Sequence, residues 1–176
     1  TEAKNIAALA SDAGKLEAST TLDPITNLLN KTGSEQALVR TVKQIERAEA
    51  KGGSRDLTLM MIDLDNFKAV NDNLGHDRGD EVLKVMGKYL KDRMRASDKV
   101  GRLGGDEYLA VLPDTKDTAK LVKDMQSLRL EASASGVRIL PAGVAPSPGS
   151  YVVKASAGAT TRRAGEGASD LLARAD

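Results

Sequence analysis

Gly104-Gly105-Asp106-Glu107 places two carboxylates directly after two glycines. Glycine takes positive φ without steric cost, so the pair reads as a tight hairpin turn between Lys99-Val100 and Leu109-Ala110-Val111-Leu112. Neighbouring carboxylates repel, and one of them rises in pKa unless a cation stands beside it. A loop of this kind is suited to holding a metal. A second acidic pair, Asp63 and Asp65, ends the apolar run over residues 57–62. Residues two apart on a strand share a face, so both carboxylates point the same way if the strand continues.

These side chains need rigid elements to hold them. Residues 57–62 are continuously apolar and read as a buried central strand. Residues 34–51 carry Leu38, Val42 and Ile45 at helical spacing, and Gly52-Gly53 closes the helix. A short helix over 66–74 ends at Gly75. A longer one over 79–95 turns Val82, Leu83, Met86, Tyr89 and Leu90 inward. Pro113-Asp114-Thr115 is expected to cap a helix running to about Ala132, with Leu121, Val122, Met125 and Leu128 inward. Residues 133–150, with three prolines, read as a loop or an extra hairpin. Residues 152–160 read as a strand, and 169–176 begin a helix. This order predicts an α+β class: a ferredoxin-like, palm-type sheet flanked by helices. Residues 1–22 are Ala-rich, with Ile6, Leu9, Ala13 and Leu16 in a helical stripe, and read as a connecting signalling helix. The domain proper is then 23–176.

Bulk properties narrow the function. A chain of 176 residues is sized for one domain. A net charge of +1 gives no reason to expect binding to a nucleic acid polymer. Aromatics at 2% argue against base-stacking platforms. The absence of cysteine fits a cytoplasmic compartment. No apolar run reaches membrane-span length. The chain starts without Met, which suggests a fragment of a longer protein.

The glycine-acid turn, here Gly104-Gly105-Asp106-Glu107-Tyr108, resembles the signature of GGDEF-family diguanylate cyclases, with Tyr108 for the usual Phe. Three further motifs share the resemblance. Asp23-Pro24-Ile25-Thr26-Asn27-Leu28-Leu29-Asn30 is similar to the family's first motif, with Asn27 where Gly is usual. Asp63-Leu64-Asp65-Asn66-Phe67-Lys68 through Asn71, Gly75-His76 and Gly79-Asp80 resembles its nucleotide-binding stretch. Arg95 and Asp98, nine and six positions before Gly104, resemble its inhibitory product site. Ser156 and Gly158 match a shorter late motif. Together these cover roughly residues 20–176.

The resemblance implies condensation of two GTP into cyclic di-GMP and two pyrophosphates, across a homodimer controlled by an upstream sensor domain. It implies Mg²⁺ or Mn²⁺, two per active site, because nucleotidyl transfer needs charge neutralised at the phosphates. Asp63, the Leu64 carbonyl and Asp106 become metal ligands. Glu107 becomes a further ligand or the group that activates the attacking hydroxyl. Main-chain N–H groups at Asn66 and Phe67, opening a helix, favour phosphate, and Lys68 adds a cation. Asn71 and Asp80 are assigned to guanine, whose N1–H and N2–H₂ a carboxylate accepts together. Arg95 and Asp98 are assigned to product, with Arg102 a further candidate contact. His76, the one histidine, is expected to be structural, packing near the Gly75 turn. The family's final helix continues past Ala175-Asp176 with a Lys and an Arg for the triphosphate, so the last helix reads as truncated.

Taken singly, these residues have plainer readings. Asp63 suits a strand end, Lys68 a solvated surface, Asn71 a helix C-cap, Asp80 a helix first turn, and Arg95 with Asp98 a surface ion pair. The alternative function is a catalytically silent module that binds GTP or cyclic di-GMP. A palm-type polymerase or an adenylate cyclase fits the fold but leaves Asn71 and Asp80 without a use.

Overall fold

The computed structural model describes residues 20–176. The connecting helix expected over 1–22 therefore lies almost wholly outside the described residues. The elements run α1 (Lys31–Ala50), β1 (Leu57–Asp65), α2 (Phe67–Leu74), α3 (His76–Asp92), β2 (Lys99–Gly104), β3 (Glu107–Pro113), α4 (Ala119–Ser127), β4 (Arg129–Ser133), β5 (Gly136–Ile139), β6 (Tyr151–Thr161) and α5 (Ala168–Ala175). The strands form one sheet in the order β2-β3-β1-β6-β4-β5. Every pairing is antiparallel. The sub-order β2-β3-β1-β6, with helices crossing between β1 and β2 and between β3 and β6, is the expected ferredoxin-like α+β palm.

β1 is buried on both faces because helices cover both. Met60, Ile62 and Leu64 join Tyr108, Ala110 and Leu112 against Val82, Leu83, Met86 and Leu90 of α3 and Met125 of α4. Leu57 and Leu59 join Leu109 and Val111 against Leu38, Val42 and Ile45 of α1 and Leu171 of α5. Asp63 and Asp65 continue the second face, but at the end of β1 both are exposed. α1 starts at Lys31, earlier than the apolar stripe suggests, because the Asn30 side chain accepts from the Gly33 N–H at 2.8 Å and caps it.

Several expected boundaries move. The helix expected to reach Ala132 stops at Ser127, and residues 129–133 form β4 instead. The buried apolar residues Leu128, Leu130 and Ala132 fall at every second position, a strand period that prevails over the helical one. Nor do Pro113-Asp114-Thr115 cap that helix. Asp114 takes φ 54° and pairs with Arg55 at 2.8 Å, and α4 opens four residues later after Thr118. The segment over 133–150 is in part a hairpin, since β4 turns through Ala134-Ser135 into β5, which opens at Gly136 with φ 150°. α3 ends at Asp92, so Arg95 and Asp98 form a turn of their own, not a helix end. His76 opens α3 and is exposed, not packed. No described helix is long and apolar enough to cross a membrane.

Tyr108 is fully buried, and its hydroxyl donates to the Leu83 carbonyl of α3 at 2.8 Å. Burial pushes its phenol pKa well above the ordinary value. Tyr108→Phe, which restores the ring usual at this position, removes one buried hydrogen bond. It should lower stability by about 1 kcal/mol without changing the fold, as urea denaturation would read.

Candidate active site

The site forms where β1 leaves the sheet beside the β2–β3 turn. β1 and β3 are registered with Asp63 opposite Glu107. In β2–β3 Gly104 pairs with Glu107, so Gly105 and Asp106 make the turn, with Gly105 at φ 50° in the left-handed region. The Asp106 carbonyl accepts from the Leu64 N–H at 3.2 Å. The Asp106 carboxyl comes within hydrogen-bonding reach of the Asp63 carboxylate. Burial, then the Asp63 hydrogen bond and the Asp63 charge, push the Asp106 carboxyl up to about 6, and the Glu107 charge adds to this.

Two carboxylates in contact are what a divalent cation would relieve. Within a strand, the N–H and C=O of one residue point to the same side. The Leu64 N–H points at the Asp106 turn, so its carbonyl is directed to that side too. Asp63, Asp106 and the Leu64 carbonyl therefore offer a hard-oxygen set that suits Mg²⁺ and leaves positions for phosphate oxygens. Among the described residues no three acidic or imidazole side chains form a metal cluster, so the side-chain donors are this pair. Glu107 is exposed beside it and lines a cavity of about 590 Å³ between α1 and α5, with Leu38, Met61, Leu109 and Leu172.

α2 begins at Phe67 after Asn66, whose backbone is left-handed at φ 68°, ψ 15°. Lys68 is exposed and paired with Asp72 at 2.9 Å. Asn71 of α2 meets the first turn of α3: a Cβ built on Gly79 would fall 1.8 Å from Asn71 Oδ1. Gly79 thus lets the Asn71 amide lie against the backbone next to Asp80, and both assigned guanine contacts sit at this one junction. In the sequence Gly79 stands beside Asp80 with nothing local to mark this packing role, because the Asn71 amide that needs the space lies on another helix.

Arg95 and Asp98 are joined at 3.0 Å, and Asp98 also accepts from the Arg95 N–H at 2.8 Å. The Arg95 guanidinium further reaches the Pro113 carbonyl at 2.7 Å and Thr115 Oγ1 at 2.5 Å. Arg102 is occupied elsewhere. It donates to Asp23 at 2.7 Å and to the Gly105 carbonyl at 2.9 Å. It so ties the first motif to the Gly-Gly turn. Burial alone would raise Asp23, yet the Thr26 hydroxyl, the Thr26 N–H and Arg102 together hold its carboxyl below the ordinary value. The signal for this clamp was in the sequence, since Asp with Thr three residues later marks a side-chain-capped turn. Its partner Arg102, 79 positions on, was not legible.

Residues 20–176 match the family described as "Diguanylate cyclase, GGDEF domain". The chain belongs to the GGDEF family. It is 32% identical over 159 residues to diguanylate cyclase DgcP of Pseudomonas aeruginosa, covering 88% of this chain and 21% of that protein. It is 37% identical over 95 residues to cyclic di-GMP phosphodiesterase NbdA of the same species, covering 54% of this chain and 12% of that protein. The chain thus spans about a fifth or less of these relatives. The coiled coil and GGDEF domain of DgcB from Caulobacter crescentus, solved with c-di-GMP, shares the fold at TM-score 0.78 and 20% identity, covering 99% of this chain and 86% of that one.

Removing Arg102 strands a buried carboxylate. Arg102→Met should cost about 3 kcal/mol near neutral pH. The wild-type Asp23 contribution is present above the unfolded carboxylate range near 4 and is lost as pH falls through the lowered folded value. The gap between the two proteins should therefore narrow on acidification, as denaturation at a series of pH values would show.

Proposed function

We propose that this GGDEF domain is a diguanylate cyclase: two GTP give cyclic di-GMP and two pyrophosphates, in a homodimer with one GTP on each subunit. The observation that carries this reading is the contact between Asp63 and Asp106. A pair of carboxylates brought together at such cost suits a site that binds Mg²⁺ or Mn²⁺, two per active site. Bound there, the cations would neutralise charge on the phosphates and lower the pKa of the attacking 3′-hydroxyl.

The chain's own groups do the rest. Asn71 and Asp80 receive guanine at the α2–α3 junction. The first N–H groups of α2 and the Lys68 ammonium face the phosphates. Glu107, at the mouth of the turn, takes the proton as the 3′ oxygen of one GTP bonds to the α-phosphorus of the other. The bond from that phosphorus to the bridging oxygen breaks, and pyrophosphate leaves. The reverse attack closes the ring. Arg95 and Asp98 bind the product away from this centre, and product there would have to displace Thr115 and the Pro113 carbonyl from Arg95. The domain would act in the cytoplasm, downstream of a sensor.

A second reading, a silent module that binds GTP or cyclic di-GMP, is favoured by the similarity to NbdA, a phosphodiesterase by name. The intact Asp106 and Glu107 favour the cyclase. Incubation with GTP and Mg²⁺ at high protein concentration, followed by mass spectrometry, decides between them. Cyclic di-GMP that disappears in Asp106→Ala supports the cyclase, whereas no product either from this chain or from one that carries the final helix on past Asp176 supports the module. Arg95→Ala should give turnover that no longer slows as cyclic di-GMP accumulates. Unchanged slowing in that variant would remove Arg95 from the product site.

A further inference from the structure

We infer that Ser156 of β6 is a positioning residue for nucleotide: its hydroxyl holds Asp65 and so fixes the turn that carries Leu64 and Asn66 into the site. The inference rests on the GTP reading above and adds a residue that reading does not use.

β6 lies beside β1 with Ser156 opposite Asp63 and Lys154 opposite Asp65. Directly opposed residues of an antiparallel pair present side chains on the same face, and diagonal neighbours remain within reach. Ser156 therefore stands beside both carboxylates. Its hydroxyl donates to Asp65 Oδ2 at 2.7 Å. Asp63 is left to meet Asp106. A hydrogen bond to a carboxylate is shorter and stronger than a neutral one, so it sets direction as well as distance.

The next residue is tied to the same strand. Asn66 holds its left-handed backbone without capping α2. Its side-chain amide donates instead to the Val152 carbonyl at 3.2 Å. A non-glycine residue keeps such a conformation only where its surroundings hold it there. Both residues of the β1–α2 turn are thus anchored to β6. The Leu64 carbonyl and the first N–H groups of α2 take their direction from that anchorage. Released, Asp65 would also be free to turn its charge toward Asp63 and Asp106, where a triphosphate must come.

Ser156 is exposed, so losing its hydroxyl should leave the melting temperature essentially unchanged. The test is calorimetric titration with 3′-deoxy-GTP and Mg²⁺, since this analogue lacks the attacking hydroxyl and cannot turn over. Ser156→Ala should bind about 10-fold more weakly at unchanged melting temperature, and Ser156→Thr should restore wild-type binding. In turnover, Ser156→Ala should raise KM for GTP more than it lowers kcat. Wild-type binding by Ser156→Ala, or equal weakening in the Ala and Thr variants, overturns the inference while leaving the GTP reading intact. A wild-type protein that binds no analogue overturns both.

Discussion

The contact between Asp63 and Asp106 sets the terms for the rest of the molecule. Two carboxylates do not come together by themselves, and the fold must hold them there. It does so through β1, a central strand held between β3 and β6, whose register against β3 places Asp63 opposite Glu107. The Leu64 N–H holds the turn from one side at 3.2 Å, and Arg102 holds the Gly105 carbonyl from the other at 2.9 Å. Arg102 is in turn fixed by Asp23, at the start of the domain. The repulsion is stored in a hydrogen-bonded frame that reaches from the first motif to the turn.

The two helical layers explain why this frame ends in an open site. α2, α3 and α4 cover one face of the sheet, and α1 and α5 cover the other. The apolar side chains of β1 need this cover, and through Leu64 they have it. Asp63 and Asp65 lie past the shelter of α1 and α5 and remain exposed. The sheet therefore delivers charge to solvent at the point where its hydrophobic partners stop.

The β4–β5 hairpin and the segment after it are fastened by one buried acid. Glu131 accepts from the Ser147 N–H, from Arg138 at 2.5 Å and from Ser150 at 2.9 Å. These donors, led by the Ser147 N–H, hold its carboxyl down to about 2. The hairpin turn also meets α3, where Arg78 donates to the Ala134 carbonyl at 2.7 Å. A proline-rich stretch without regular structure is thus pinned by a charge, where it lacks apolar side chains enough to be pinned by packing.

Much of this was legible in the chain. The strand at 57–62, the helices around Val42 and Met86, and the turn at Gly104-Gly105 follow from local periodicity and glycine conformation, which need no partner to be read. The family resemblance rests on the same local motifs. The tertiary structure decided what depends on distant partners. It ended α4 at Ser127, because Leu130 and Ala132 pack in a sheet whose other strands come from elsewhere in the sequence. It gave Arg102 to Asp23, Asp114 to Arg55 and Glu131 to Arg138. It also joined Ser156 to Asp65 across 91 positions. Charge pairing has no period along a chain: an acid at one position does not say which base will face it until strand order and register bring the two together.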